Sequence, residues 1–128
     1  MHKRLAALAM TVVAVAATTL ATAPTASADS HKGCVYPRVC FYLTQSDWDS
    51  SRPTAAYQDV TADYQDLGPR SRGADYVHNT RNDDRAYLRY VVDGSPTLHY
   101  TCVPPNETHG FGEGITLTGI RIDTASAC

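Results

Sequence analysis

The residues of this chain with the most definite chemistry are four cysteines, Cys34, Cys40, Cys102 and Cys128, and the stiff segment Thr101-Cys102-Val103-Pro104-Pro105 around one of them. Four thiols in a body of about a hundred residues read as two disulfides in an oxidising compartment. They allow three connectivities, and the sequence alone leaves all three open. The simplest pairs Cys34 with Cys40 and Cys102 with Cys128. Loop-closure entropy then gives about 2.4 kcal/mol for the short loop and about 3.5 kcal/mol for the long one. That is a large share of the stability of a small domain.

A second set of residues has acid–base potential. Glu107 and His109 alternate on one side of an extended chain, and Arg89 or Arg121 can approach from a sheet. A carboxylate base, a histidine acid and an arginine on the phosphate are what a small secreted ribonuclease requires. A solvated, proline-rich loop presents the same pair with no activity at all, and the composition favours that reading. Neither Gly-x-Ser-x-Gly nor His-Glu-x-x-His occurs, so no enzyme is expected. His78, His99 and His109 lack metal-ligand spacing, and neither a metal nor any other cofactor is implied. Asp83-Asp84-Arg85 reads as a charged turn. Asn106-Glu107-Thr108 matches a glycosylation sequon by pattern only.

The first 28 residues have the layout of a secretory signal. His2, Lys3 and Arg4 form a basic start, Leu5 to Leu20 contains no acid, and Ala26-Ser27-Ala28 supplies small residues before a cut,. Residues 29 to 128 are then the mature chain, with cleavage after Ala23 as the alternative. The apolar run is too short and too rich in small residues for a stop-transfer helix. Secretion into the extracellular medium is expected, without a membrane anchor. The mature chain carries nine basic and thirteen acidic residues, a formal charge of −4. Such a surface repels phosphate backbones, which excludes non-specific nucleic-acid binding.

The elements that must position these residues are strands. Val39 to Leu43 is aromatic and β-branched, and Ala74 to His78 is a short strand. Ala86 to Val92 and Thr97 to Val103 flank the turn sequence Asp93-Gly94-Ser95-Pro96 and predict a hairpin. In its first arm Leu88, Tyr90 and Val92 oppose Tyr87, Arg89 and Val91. In the second, Leu98, Tyr100 and Cys102 oppose Thr97, His99, Thr101 and Val103. In Ile115 to Asp123 a bulge at Gly119 is needed to bring Ile115, Leu117, Ile120 and Ile122 to one face. Thr61 is read as capping a helical turn through Tyr64 and Leu67. Tyr42, Tyr87, Tyr90 and Tyr100 are read as core and cross-strand residues rather than a stacking platform. The whole is one all-β domain over residues 29 to 128, a sandwich or barrel.

Several short motifs carry a resemblance. Cys34-Val-Tyr-Pro-Arg-Val-Cys40-Phe41-Tyr42, Trp48, Tyr64-Gln-Asp-Leu67-Gly68, Val77-His-Asn79-Thr80 and Ala86-Tyr-Leu-Arg-Tyr90 resemble the secreted actinobacterial peptidase inhibitors of the Streptomyces metalloproteinase inhibitor type. The resemblance implies a βγ-crystallin-like double Greek-key sandwich with two disulfides. Trp48, in a polar loop, is read on its own account as a plug at the end of the first Greek key. The spacing departs from the crystallin pattern, since Tyr42 is followed by Trp48 six residues on and Asp49 and Ser50 stand where glycine is usual. The stretch matching the family's calcium motif, Arg70-Ser71-Arg72-Gly73-Ala74-Asp75, has arginine where an acid is needed, and Gly114 to Gly119 has no acid, so calcium is not expected.

The same resemblance implies function. Thr101-Cys102-Val103 matches the family's inhibitory Thr-Cys-Val, so a rigid substrate-like loop of Thr101, Cys102, Val103 and Pro104 is expected to meet a secreted or foreign peptidase, a metalloprotease in the first instance. The protein would act as a monomer with its Cys102–Val103 bond towards the enzyme. Stiffness from a disulfide on one side and two prolines on the other lowers the entropy cost of binding. The competing readings are a non-inhibitory structural or antimicrobial module of the same fold, and the ribonuclease-like enzyme described above.

Overall fold

The hairpin around Asp93-Gly94-Ser95-Pro96 forms one edge of a four-stranded sheet. A computed structural model describes residues 30–128; the expected signal segment lies outside the described residues. Strand β5 (Arg85–Val92) pairs antiparallel with β6 (His99–Val103) on one side and with β8 (Ile115–Asp123) on the other. The expected register holds: Ala86, Leu88 and Val103 are fully buried, while Tyr100, on the opposite face, is 54% exposed.

The bulge also forms. Arg89 pairs with Gly119 and Tyr90 with Leu117, so Thr118 is the extra residue. That shift brings Leu117, Ile120 and Ile122 into the core together, with Ile115 half-buried at the strand's start. Gly119 has a further reason to lack a side chain. A Cβ there would stand 2.9 Å from the Arg89 guanidinium, which lies across it and donates to Thr118 Oγ1 (3.1 Å) and to Asp66 Oδ1 (2.6 Å).

The first sheet is built from β1 (Val39–Tyr42), β2 (Ala55–Tyr57), β4 (Tyr76–Asn79) and β7 (Thr108–Gly110), in the order β2-β1-β4-β7. The second has the order β3-β8-β5-β6, where β3 is Gln65–Asp66. Each run of four consecutive strands thus keeps three in its own sheet and gives its third to the other. The two antiparallel sheets face each other across one core, to which Val39, Phe41 and Val77 contribute from the first and Ala86, Leu88, Val103, Leu117, Ile120 and Ile122 from the second.

The outer face of the first sheet is covered as well. Cys40 and Tyr42 alternate with Val39 and Phe41, yet all four are buried. Cys34, Cys40 and Tyr42 form a second cluster, roofed by Trp48 and Tyr76. Trp48 meets Tyr42 edge-on at 5.0 Å and stacks on Tyr76 at 5.0 Å, so it covers this face of the sheet. The Tyr42 hydroxyl donates to the Lys32 carbonyl at 2.7 Å, and burial pushes its pKa up to about 12,.

Trp48 sits on the one helix of the described residues, α1 (Gln45–Asp49). Thr44 caps it: its Oγ1 accepts from the Asp47 N–H, and the Asp47 carboxylate accepts from the Thr44 N–H, both at 3.1 Å,. The helical turn expected after Thr61 does not form. The Thr61 hydroxyl donates to the Asp63 carbonyl and its N–H to the Ile122 carbonyl, and Gln65–Asp66 pair with Ile120 and Gly119 as β3. The local cap signal there loses to hydrogen bonds offered by β8. No helix of the described residues is long and apolar enough to cross a membrane.

Both disulfides take the simplest pairing, Cys34–Cys40 and Cys102–Cys128. Ahead of the first, His31 and Cys34 exchange two backbone hydrogen bonds across Lys32 and Gly33, both at positive φ as a type I′ turn requires,. Gly33 is constrained twice over. A Cβ there would stand 2.1 Å from the Ser51 carbonyl oxygen at the end of α1.

Candidate functional site

The connection from β6 to β7 carries the residues expected to act, and it passes from one sheet to the other. Thr101 and Cys102 lie in β6, half-buried. Val103 closes the strand opposite Ala86 with its side chain fully buried in the core. Pro104 and Pro105 are half-buried, and Asn106, at φ 60°, and Glu107 are exposed before β7 begins at Thr108. The Cys102–Val103 bond therefore belongs to the sheet. A protease pocket reaches the Val103 side chain only if β6 leaves its neighbours. The accessible part of the segment is the tip, Asn106 and Glu107, three and four residues beyond the matched Thr-Cys-Val.

That tip is fastened at both ends. The Asn106 N–H donates to the Arg81 carbonyl (3.1 Å) and its side-chain amide to Asn82 Oδ1 (3.2 Å). The Glu107 carbonyl accepts from the Asn79 N–H (3.0 Å), and the Glu107 N–H bends back to the Pro104 carbonyl (3.3 Å). Behind the loop, the Cys102–Cys128 disulfide ties β6 to the chain end. Every backbone group mentioned is paired, which leaves the loop few alternative conformations.

Asn79 is the residue on which the loop turns, and sequence reasoning did not single it out beyond its place in a motif. It is fully buried, and its side-chain amide donates to the carbonyls of Asp84 (2.9 Å) and Val103 (3.2 Å) while its Oδ1 accepts from the Arg81 N–H (3.0 Å). Its neighbours His78 and Thr80 are also buried polar groups with partners. Thr80 Oγ1 donates to the Arg38 carbonyl at 2.7 Å. The charged turn at Asp83-Asp84-Arg85 divides: Asp83 faces solvent, Asp84 is buried and accepts from Arg81 Nε at 2.7 Å, and Arg85 pairs with Asp123 at 2.9 Å. A run of three polar residues, His78-Asn79-Thr80, at the end of a short strand was the available signal, since buried polar groups require partners,.

Beside the loop lies an open cleft of about 410 Å³ lined by Ser30, His31, His78, Asn106 and Thr108. The His31 and His78 rings are 4.6 Å apart, and His78 Nδ1 is 2.7 Å from Thr108 Oγ1. Burial, and then the neighbouring His31, lower the His78 pKa to about 4,.

The residues of the ribonuclease reading are not brought together. Glu107 and His109 belong to the β7 end of the first sheet, with His109 against Phe111. Arg89 and Arg121 belong to the second sheet. Arg89 bonds Asp66 and Thr118, and Arg121 lies over Tyr64 and Tyr87. Tyr100 also departs from its expected place. It stands exposed beside Tyr64 (5.5 Å), whereas Tyr42 is core and Tyr90 packs against it. His99 stacks on Tyr90, and no group of three or more His, Cys, Asp or Glu among the described residues is arranged to hold a metal ion. Comparison of the chain with protein-family models, with curated proteins and with solved structures finds no match.

Proposed function

We propose that this protein is a secreted peptidase inhibitor, directed at metalloproteases, whose contact element is the β6–β7 connection on a βγ-crystallin-like double Greek key. The observation that carries the reading is the loop itself: an exposed tip at Asn106–Glu107 held by hydrogen bonds at both ends and backed by a disulfide. A protease inhibitor needs an accessible segment that loses little entropy on binding, and this connection meets that requirement. Thr101, Cys102 and Val103, the residues that resemble the inhibitory Thr-Cys-Val, then serve as the rigid base, with Pro104 to Glu107 making the contact.

The fold assignment is supported by the exchange of third strands between the two sheets, which is the connectivity of a paired Greek key,. Secretion with a cut after Ala28 is supported by the basic, apolar and small-residue order of the first 28 residues,, and two disulfides are compatible with it,.

One observation favours a second reading. Val103, the residue that should follow the scissile bond, is fully buried; a non-inhibitory structural module of the same fold needs no such side chain at its surface. The double substitution Pro104→Gly and Pro105→Gly separates the two, because it loosens the loop without removing a core side chain. Under the inhibitor reading it weakens inhibition of a thermolysin-like protease about tenfold while the fold persists. Equal inhibition by parent and variant overturns the loop assignment, and no inhibition by either favours the structural module.

A further inference from the structure

We propose that the outer face of the second sheet binds a polysaccharide built from uronic acids. Arg121 holds a sugar carboxylate there, and Tyr64 and Tyr100 supply the surface on which the sugar rings lie. The site is independent of the inhibitory reading.

Alternation in β5 sends Arg85, Tyr87 and Arg89 outward while Ala86 and Leu88 enter the core,. Tyr87 stands opposite Arg121 of β8 on one side and Cys102 of β6 on the other. Trp48 and Tyr76 roof the outer face of the first sheet, but Arg85, Tyr87, Arg89 and Arg121 on the second stay half-buried, and Tyr100 is 54% exposed. Cations and rings alternate across this face. Arg85 lies over Tyr87 at 4.7 Å, Arg121 over Tyr87 at 5.0 Å and over Tyr64 at 5.6 Å, and Arg89 over Tyr64 at 5.5 Å,. Tyr64, just ahead of β3 at one edge of the sheet, reaches Tyr100 of β6 at the other, with ring centres 5.5 Å apart.

The three arginines are not equivalent. Arg85 gives its Nε to Asp123 at 2.9 Å, and Arg89 gives an Nη to Asp66 at 2.6 Å. Arg121 has a buried Nε without a hydrogen-bond partner, and its Nη2 stands 3.6 Å from Asp123 Oδ2, too far for a hydrogen bond,. Asp123 is already engaged by Arg85 and by the Ala125 N–H at 3.0 Å. The Arg121 side chain is 31% exposed, so with Nε buried it offers its Nη1–Nη2 end. A guanidinium placed over two rings keeps one orientation, and its free edge fits the two oxygens of a carboxylate. Three arginines against two aspartates leave this face one positive charge, on a chain whose formal charge is −2.

The hydroxyls on this face select the class of ligand. Those of Tyr42, Tyr57 and Tyr76 are hydrogen-bonded within the fold, whereas those of Tyr64, Tyr87 and Tyr100 have no hydrogen-bond partner among the described residues. Ring surface, neutral hydroxyls and one uncompensated cation therefore stand together. A uronic acid is their complement: its pyranose ring has an apolar C–H face, hydroxyls at its rim and a single carboxylate. A phosphodiester chain is instead held by several uncompensated cations, and this face has one. The open surface of a sheet lacks the walls that enclose a small molecule, but a polymer can lie across it.

The test is electrophoresis of the folded protein through native gels containing polygalacturonate, alginate, neutral dextran or polyuridylate. The two uronate polymers are expected to retard it, and dextran and polyuridylate to leave its mobility unchanged. Arg121→Gln should lower the affinity for polygalacturonate about tenfold or more, and Tyr100→Ala about threefold. Arg121→Lys keeps the charge without the fork and should fall with Arg121→Gln. Arg52→Gln removes an exposed arginine outside this face and should bind as the parent does. No retardation by either uronate polymer overturns the proposal, as does equal retardation of parent and Arg121→Gln. Retardation by dextran removes the carboxylate from the account, and retardation by polyuridylate alone assigns the face to nucleic acid; either overturns it. A lysine variant as tight as the parent overturns the fork.

Discussion

The side-chain amide of Asn79, fully buried at the end of β4, donates to the carbonyl of Val103 at the end of β6. One amide thereby joins the two sheets at the point where the β6–β7 connection leaves the core. Asn79→Ala would orphan two buried carbonyls, those of Val103 and Asp84, and the Arg81 N–H. A destabilisation of about 3 kcal/mol is expected, read as a lower midpoint in urea unfolding. A loss below about 0.5 kcal/mol, the range of ordinary surface substitutions, would show that the clamp contributes nothing.

Gly33 cannot carry a side chain without moving α1. Its φ of 76° and the 2.1 Å separation between a built Cβ and the Ser51 carbonyl act together in Gly33→Ala. A loss of about 2 kcal/mol is expected. Because Ser51 follows the helix that holds Trp48, the change should also alter tryptophan fluorescence in the folded state. An unchanged spectrum and melting temperature would contradict the contact.

The disulfide Cys102–Cys128 closes 26 residues. Replacing both cysteines by alanine should cost about 3.5 kcal/mol through the freed unfolded chain. Equilibrium denaturation of the two proteins under oxidising conditions checks this, and equal stability would mean that the chain end needs no staple.

His78 makes stability depend on pH. Its folded pKa is lowered to about 4 from 6.5, chiefly by burial, so the unfolded chain binds the proton more readily. The sign follows: the contribution is fully present above pH 6.5 and is lost as pH falls towards about 4. Denaturation midpoints measured across that window should decline in the parent and decline less in His78→Gln. Parallel decline in both would assign the effect to other groups.

Much of the scaffold was legible in the residues. Alternation in Ala86 to Val92, the turn sequence after it and the phase change at Gly119 each led to the observed register, because those signals coincide with the burial that decides a strand's face. The helix did not emerge. Thr44-Gln-Ser-Asp47 is a capping box in plain view, but its helix is five residues long and carries no apolar stripe, so periodicity is silent there,. Thr61 offered a competing cap that β8 overrides. Asn79 and the His31–His78 cleft were illegible for another reason: both depend on residues far apart in the chain, Val103 and Thr108 among them, that only the finished fold brings together. The position of Val103 belongs to the same class. Its β-branched side chain suited a protease pocket and a sheet interior equally, and burial settled it on the interior.

The most direct measurement is a stoichiometric titration of residues 29–128 against a thermolysin-like metalloprotease of known active concentration, with a subtilisin-like protease in parallel. Inhibition through the β6–β7 connection predicts that metalloprotease activity falls linearly and extrapolates to zero at one inhibitor per enzyme. Undiminished activity of the metalloprotease at a large molar excess of correctly folded protein would contradict it.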